Sequence, residues 1–325
     1  MKKTLRRLLL VSGLAAGIAR PALAQQQAQY SQYMNNNYIL NPGVAGTEDY
    51  IDVKLSYRTQ WTGLEGHPNT YYASVHSSLG KLRSQPKRTM RDWRRSFHSV
   101  GGLAYNDVTG PTSRAGLYGS YAYNMAMSPT MRAALGISVG MQQFAVDGQK
   151  LQFHDPTTRA GNVASRVPDA TVGLWVYSPL FYVGVSSAQL LGNRLNFSYA
   201  QVDQTEYVNS LQRHYFITGG VRLPLSTDWV LVPSVLVKSV SPAPLSVDIN
   251  AKLKYRDIFW VGSSVRAFDS VVALFGLNIN EFSTLGYSYD AGMSKITGYH
   301  MGSHEVLLGL RVKKKAKVVC TDKFW

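Results

Sequence analysis

Residues 51–61 read IDVKLSYRTQW. Ile51, Val53, Leu55, Tyr57, Thr59 and Trp61 fall on one side of an extended chain, and Asp52, Lys54, Ser56, Arg58 and Gln60 on the other. Successive side chains of a strand point to opposite faces, so the stretch predicts a β-strand with one apolar and one charged face. Its length matches the roughly 9–11 residues of a tilted transmembrane strand better than the five or six of an average soluble one.

The pattern recurs along the chain. Met131, Ala133, Leu135, Ile137, Val139 and Met141 form one apolar face, and Leu245, Val247, Ile249, Ala251, Leu253 and Tyr255 another. Val306, Leu308, Leu310 and Val312 oppose Glu305, Gly309 and Arg311. None of these apolar faces carries a charge, as lipid contact requires, since a lipid-facing Arg or Lys costs about 2–4 kcal/mol at mid-membrane. The periodicity predicts fourteen strands, at 50–61, 69–79, 98–107, 113–127, 131–144, 169–177, 180–189, 212–225, 229–240, 245–255, 258–267, 270–280, 282–290 and 303–312. The expected fold is all-β, an antiparallel transmembrane β-barrel. An even strand number puts both termini on the periplasmic side. Short turns such as Ser178-Pro179 and Arg256-Asp257 then fall in the periplasm, and the long connections at 145–168, 190–211 and 291–302 fall outside. Pro233 interrupts one strand and reads as the mark of a bulge.

Composition agrees. Of 325 residues only 16% are charged, while Tyr (20) and Gly (28) are abundant. Residues 1–24 read as a secretory signal, with Lys2, Lys3, Arg6 and Arg7 before an apolar run, and Ala22-Leu23-Ala24 as the cleavage pattern. The domain plan is a signal peptide (1–24), an N-terminal segment (25–49), the barrel (50–312) and a basic periplasmic tail (313–325). Cys320 is the sole cysteine, so no intrachain disulfide is possible. Loss of the signal's five basic residues, Arg20 included, lowers the formal charge from +15 to +10. Export makes nucleic acid an unsuitable partner, so the charge points to outer-membrane lipid or a protein partner.

Three groups of residues are candidate sites. The first is Tyr30–Gly46, YSQYMNNNYILNPGVAG, which follows neither a period of 2 nor one of 3.6 and closes on Pro42, Gly43 and Gly46. Irregular backbone is tolerated at membrane depth only where lipid does not touch it. The segment is therefore expected to plug the periplasmic mouth through Tyr30, Gln32, Tyr33, Tyr38, Asn41 and Pro42; partner docking is the alternative. The second group is the polar strand face: Lys54, Arg58, Arg114, Arg132, Arg222, Lys238, Lys252, Lys254, Arg266 and Arg311, against Asp52, Asp248 and Glu305. It reads either as an internal polar network or as a lumen that favours anions or acidic peptide. The third lies in the connection at 80–97, where Lys81, Arg83, Lys87, Arg88, Arg91, Arg94 and Arg95 face one acid, Asp92. It reads as a solvated loop, as a docking surface for an acidic periplasmic partner, or as a sign of one more hairpin. Trp61, Tyr71, Tyr72, Trp175, Trp229, Phe259 and Trp260 are expected to form interfacial girdles. No catalytic constellation, metal-ligand spacing or cofactor motif emerges: seven histidines are scattered, and alternation puts His304 and Glu305 on opposite faces.

Motifs spread in order over the mature chain resemble the PorP/SprF family of type IX secretion outer-membrane proteins. They begin with Tyr30-Ser31-Gln32-Tyr33-Met34, Asn41-Pro42 and Ala45-Gly46, and continue through Tyr57-Arg58, Gln60-Trp61 and Asn106-Asp107. Pro168-Asp169, Arg213-His214-Tyr215, Gly286-Tyr287-Ser288-Tyr289-Asp290, Gly302-Ser303-His304-Glu305 and Cys320 complete them. Asn35-Asn36-Asn37 departs from the family pattern, where an aromatic and a proline are usual. The resemblance implies a non-enzymatic component of the type IX machinery in the outer membrane, supporting export or surface attachment of cargo with a C-terminal sorting domain, gliding adhesins among them. It also implies periplasmic or peptidoglycan-linked partners. The competing expectation is a channel or substrate-specific transporter resembling fatty-acid transport barrels.

Overall fold

The computed structural model describes residues 27–79, 96–151, 161–197, 207–267, 269–293 and 297–312. The signal, Arg83, Lys87, Arg88, Arg91, Arg94 and Arg95, and the basic tail with Cys320 lie outside the described residues. Strands β1 (Ile51–Thr59), β2 (Asn69–Ser78), β3 (Phe97–Thr109), β4 (Thr112–Ala126), β5 (Arg132–Val146), β6 (Val163–Tyr177) and β7 (Phe181–Ala188) follow one another as antiparallel neighbours. After a small hairpin of β8 (Arg194–Phe197) and β9 (Tyr207–Ser210) come β10 (His214–Val221), its short continuation β11 (Leu223–Pro224) and β12 (Trp229–Val240). The circuit finishes with β13 (Ser246–Tyr255), β14 (Phe259–Arg266), β15 (Ser270–Asn278), β16 (Ser283–Gly292) and β17 (Ser303–Val312). β1 pairs with β17 from Ile51↔Val312 to Thr59↔His304, and β10 bridges β7 and β12, so the sheet closes as a barrel of fourteen staves. Among the described residues no helix is long and apolar enough to cross a membrane; the strands do the crossing.

Alternation sets which side each residue faces. Leu117, Leu135, Ile137, Val139, Met141, Ile249, Val265, Phe275 and Leu285 are exposed on the outer wall, while Asp52, Arg58, Arg114, Asp248, Lys252 and Glu305 are buried inside. Leu117, mid-strand in β4 and 68% exposed, is the clearest lipid contact. Leu117→Arg should destabilise the barrel by about 2–4 kcal/mol in denaturant titrations of liposome-inserted protein, as expected for a cation near mid-membrane. An unchanged midpoint would take that face out of lipid.

Two rims result. The terminal rim carries the start of β1, the end of β17 and short turns such as 178–180 and 256–258. There Arg256 donates to Asp228 from Nε at 2.8 Å and from Nη2 at 3.2 Å, tying two turns together. These hydrogen bonds hold the Asp228 carboxyl below the usual range. The loop rim carries the connections 60–68, 147–162, 189–213 and 293–302.

Three details differ from the expectation. β6 starts at Val163 rather than 169, because its first residues pair with β5 alone (Val146↔Val163) above the height that β7 reaches (Val172↔Ser187). Pro168, which has no N–H to give, lies on that unpaired edge. Connection 190–211 contains the β8–β9 hairpin, whose Leu195 packs with Leu211, Val167 and Phe144. Pro233 marks no bulge: Gly220↔Ser234 and Leu223↔Leu231 share one register, and the ladder breaks opposite the proline, where it cannot donate.

The girdle expectation is corrected for three aromatics. Tyr72, Trp175 and Trp260 are buried in the interior, at 4%, 0% and 5% exposure. Tyr71 and Trp61 are exposed, and Trp229 and Phe259 half-buried.

Candidate functional site in the barrel lumen

The lumen is occupied by the N-terminal segment. Tyr33–Asn35, Asn37–Ile39 and Pro42–Val44 each form one turn of 3-10 helix. Asn41 caps the third, accepting from Gly43 N at 2.8 Å, with Pro42 pre-set at the first turn position. The segment makes local hydrogen bonds within these turns and spends its side chains on the surrounding wall.

Its contacts run from rim to rim. At the loop rim, Arg266 Nη1 donates to Gln29 Oε1 at 2.9 Å. Arg58 Nη1 donates to Ser31 Oγ at 2.7 Å and Arg58 Nη2 to Asp290 Oδ2 at 2.7 Å. Ser31 N donates to Glu305 Oε2 at 2.7 Å, and Ser31 Oγ to Asp290 Oδ2 at 2.6 Å. Arg58 also lies 3.5 Å from Glu305. One cation, two carboxylates and the start of the segment thus share a dry cluster. Further along, Tyr33 OH donates to Asn250 Oδ1 at 2.9 Å, Asn36 Nδ2 to Ser74 Oγ at 2.9 Å, and Tyr38 OH and Ser120 Oγ lie 2.6 Å apart. Asn41 Nδ2 donates to the Leu174 and Val185 carbonyls at 3.0 and 3.2 Å. Near the terminal rim, Gly46 N donates to His76 Nδ1 at 3.3 Å.

Apolar packing completes the fit. Tyr33, Met34 and Leu40 pack with Phe216, Leu236, Trp260 and Val272. Tyr38, Val44 and Ala45 pack with Ala122, Ala134, Trp175 and Tyr182. The hydrophobic core of this barrel therefore lies between the segment and the inner wall, which is why Trp175 and Trp260 face inward. Inward-facing glycines make room: a Cβ on Gly136 would overlap the backbone of Pro42 and Gly43, one on Gly173 the Asn41 amide, and one on Gly286 the Gln32 amide.

The six segment candidates fall in this arrangement. Gln32, Tyr33, Tyr38, Asn41 and Pro42 are buried, and Tyr30 is half-buried with its ring edge-on to Tyr72 at 5.1 Å. The basic face lines the interior throughout. Lys54 pairs with Asp52, and Lys238 with Asp248 at 2.9 Å. Arg266 contacts Asp248 at 3.5 Å and Asp269 at 3.2 Å. Arg132 lies over the Phe97 ring at 5.2 Å, Arg311 Nη2 donates to Asn278 Oδ1 at 3.1 Å, and Arg222 is half-buried. Arg114 donates to Gln142 when that amide is oriented to accept. Asp290 was not among the expected lumen acids, yet parity gives it away: with Leu285, Tyr287 and Tyr289 outward, position 290 must face in.

The model of the family described as type IX secretion system membrane protein PorP/SprF matches residues 22–310. The chain belongs to the PorP/SprF family. It is thus a component of type IX secretion, and its barrel fits the outer membrane. No curated protein sequence matches it. Among solved structures it is similar to a Pseudomonas aeruginosa FadL homologue, with TM-score 0.50 and 8% identity over 85% of this chain and 93% of that one. It is also similar to the Pseudomonas putida toluene transporter TodX, with TM-score 0.46 and 8% identity over 86% and 94%. The translocator domain of autotransporter NalP from Neisseria meningitidis follows, with TM-score 0.42 and 10% identity over 81% and 86%. At such identities the likeness to the FadL homologue shows the barrel fold alone. Membership of the PorP/SprF family implies association with other secretion components.

Proposed function

We propose that this PorP/SprF protein works as a closed outer-membrane barrel, plugged by its own N-terminal segment, that supports export or surface attachment of cargo carrying a C-terminal sorting domain. Gliding adhesins are the cargo class considered first. In this reading the terminal rim and the C-terminal tail face the periplasm, the start of the N-terminal segment at Gln29 sits at the opposite rim, and the 80–97 loop, with Arg83 to Arg95, meets a periplasmic or peptidoglycan-linked partner. The observation that carries it is the family match combined with a lumen packed from rim to rim by residues 29–46. A lumen so filled leaves little room for free diffusion, which favours a structural role over the fatty-acid-channel alternative. A clean in-frame deletion should leave sorting-domain cargo in the periplasm or shed into the medium, as followed by cell fractionation. Normal surface display of all such cargo would overturn the proposal. In planar bilayers the purified barrel should stay closed; steady conductance in the intact protein would favour the channel reading.

A further inference from the structure

Two lysines of β13 lie deep in the interior near the terminal rim. Lys252 and Lys254 point inward three residues and one residue from the strand end at Tyr255, and are 2% and 6% exposed. Lys252 Nζ donates to Asn35 Oδ1 at 3.2 Å and sits 5.5 Å from the Trp260 ring centre. Lys254 and Lys54, both cations, act on Lys252. Among the described residues no carboxylate reaches ion-pair distance of Lys252; its partners are an amide and a ring. Arg58, Lys238 and Arg266, by contrast, each contact a buried acid. Burying a cation against neutral groups is costly, because an amide dipole returns only part of the lost hydration. The cover over Lys252 includes Asn35, one of three consecutive uncharged amides, Asn35-Asn36-Asn37. Carboxylates reach Lys254 from the terminal rim: Glu48, where the segment leaves the lumen, and Asp257 in the β13–β14 turn both act on it.

We propose that Lys252 and Lys254 form a binding site for an extended acidic polypeptide entering from the terminal rim, with Asn35 as the displaceable neutral cover of Lys252. Alternate residues of a strand lie roughly 6.5–7 Å apart on one face. That is also the spacing of alternate carboxylates along an extended acidic chain, so such a chain running beside β13 matches the pair charge for charge. The ligand supplies the counter-charge that the amides lack, and its differential affinity for the uncovered state moves the segment. The inference rests on the segment's seat in the lumen and not on the secretion role, so either can fail alone.

The test uses the full mature barrel in detergent, with Asn37→Cys as reporter and Cys320→Ser to remove the native thiol. Asn37 is buried, so maleimide labelling should be slow. Poly-L-glutamate should raise the labelling rate at least about tenfold, the population shift that a tenfold preference for the uncovered state gives. Poly-L-lysine and inorganic polyphosphate should not. In Lys252→Gln/Lys254→Gln the response should vanish, and in Lys252→Arg/Lys254→Arg it should persist. Heat-modifiable gel mobility checks folding, and Lys252→Met alone replaces the glutamine pair if that pair does not fold. No rise with polyglutamate, an equal rise in the uncharged variant, or an equal response to polyphosphate would each overturn the proposal.

Discussion

Arg58→Met should lower the unfolding free energy of the barrel by about 3–5 kcal/mol, the range for breaking a buried ion pair by removing one partner. Arg58 is 2% exposed and reaches Asp290 at 2.7 Å, Glu305 at 3.5 Å and the Ser31 hydroxyl at 2.7 Å. Without it, two carboxylates remain in a dry site with one distant cation, Arg266 at 3.9 Å from Asp290. Tryptophan fluorescence during urea unfolding of refolded protein measures the loss. Adding Glu305→Leu to Arg58→Met should recover part of it, since one of the two orphaned acids is then gone. A variant as stable as the parent would mean that water reaches the cluster and screens it.

Gly136→Val should unseat the N-terminal segment. The added side chain would occupy the space of the Pro42 carbonyl, whose oxygen lies 2.6 Å from the Cβ position, and of Gly43 N. That neighbour is backbone held in a capped turn, so it cannot rotate away as a side-chain tip would. Overpacking of this kind costs about 1–3 kcal/mol where the structure absorbs it. Here the less costly relief is for Leu40–Gly46 to leave its seat. The expected result is a barrel that still inserts but conducts in planar bilayers, with Asn37→Cys labelled readily. Gly119→Val is the matched control: Gly119 lies on the outer face, where an added Cβ meets nothing within 4 Å. If both variants behave alike, the segment is not held by this close approach.

Much of the fold was legible in the sequence because a strand's two faces follow from a period of 2, a local property that needs no partner. The alternation in 51–61 and 245–255 was enough to put Lys54, Arg58, Lys252 and Lys254 on one wall, and the structure lines the lumen with them. Parity also holds the answer for Trp260, which lies three two-residue steps from Arg266 on the same face, but an aromatic near a strand end equally suits a membrane anchor. The start of β6 and the β8–β9 hairpin escaped because pairing on one edge, and strands of four residues, leave little periodic signal.

The barrel, the stave count and the polar face of the strands follow from the chain's own pattern, because lipid outside and polar groups inside impose a short-range rule. The sequence also marks Tyr30–Gly46 as too irregular for a strand and too aromatic for a linker. How that stretch sits depends on the closed barrel. Its partners are far away along the chain, Ser31 being 274 residues from Glu305 and Tyr33 217 from Asn250. Contacts of that range depend on closure of β1 against β17, which brings Arg58, Asp290 and Glu305 around one point. The same closure turned Trp175, Trp260 and the inward glycines from strand residues into the walls of a seat, since an apolar or missing side chain in a barrel lumen makes sense only beside what fills it.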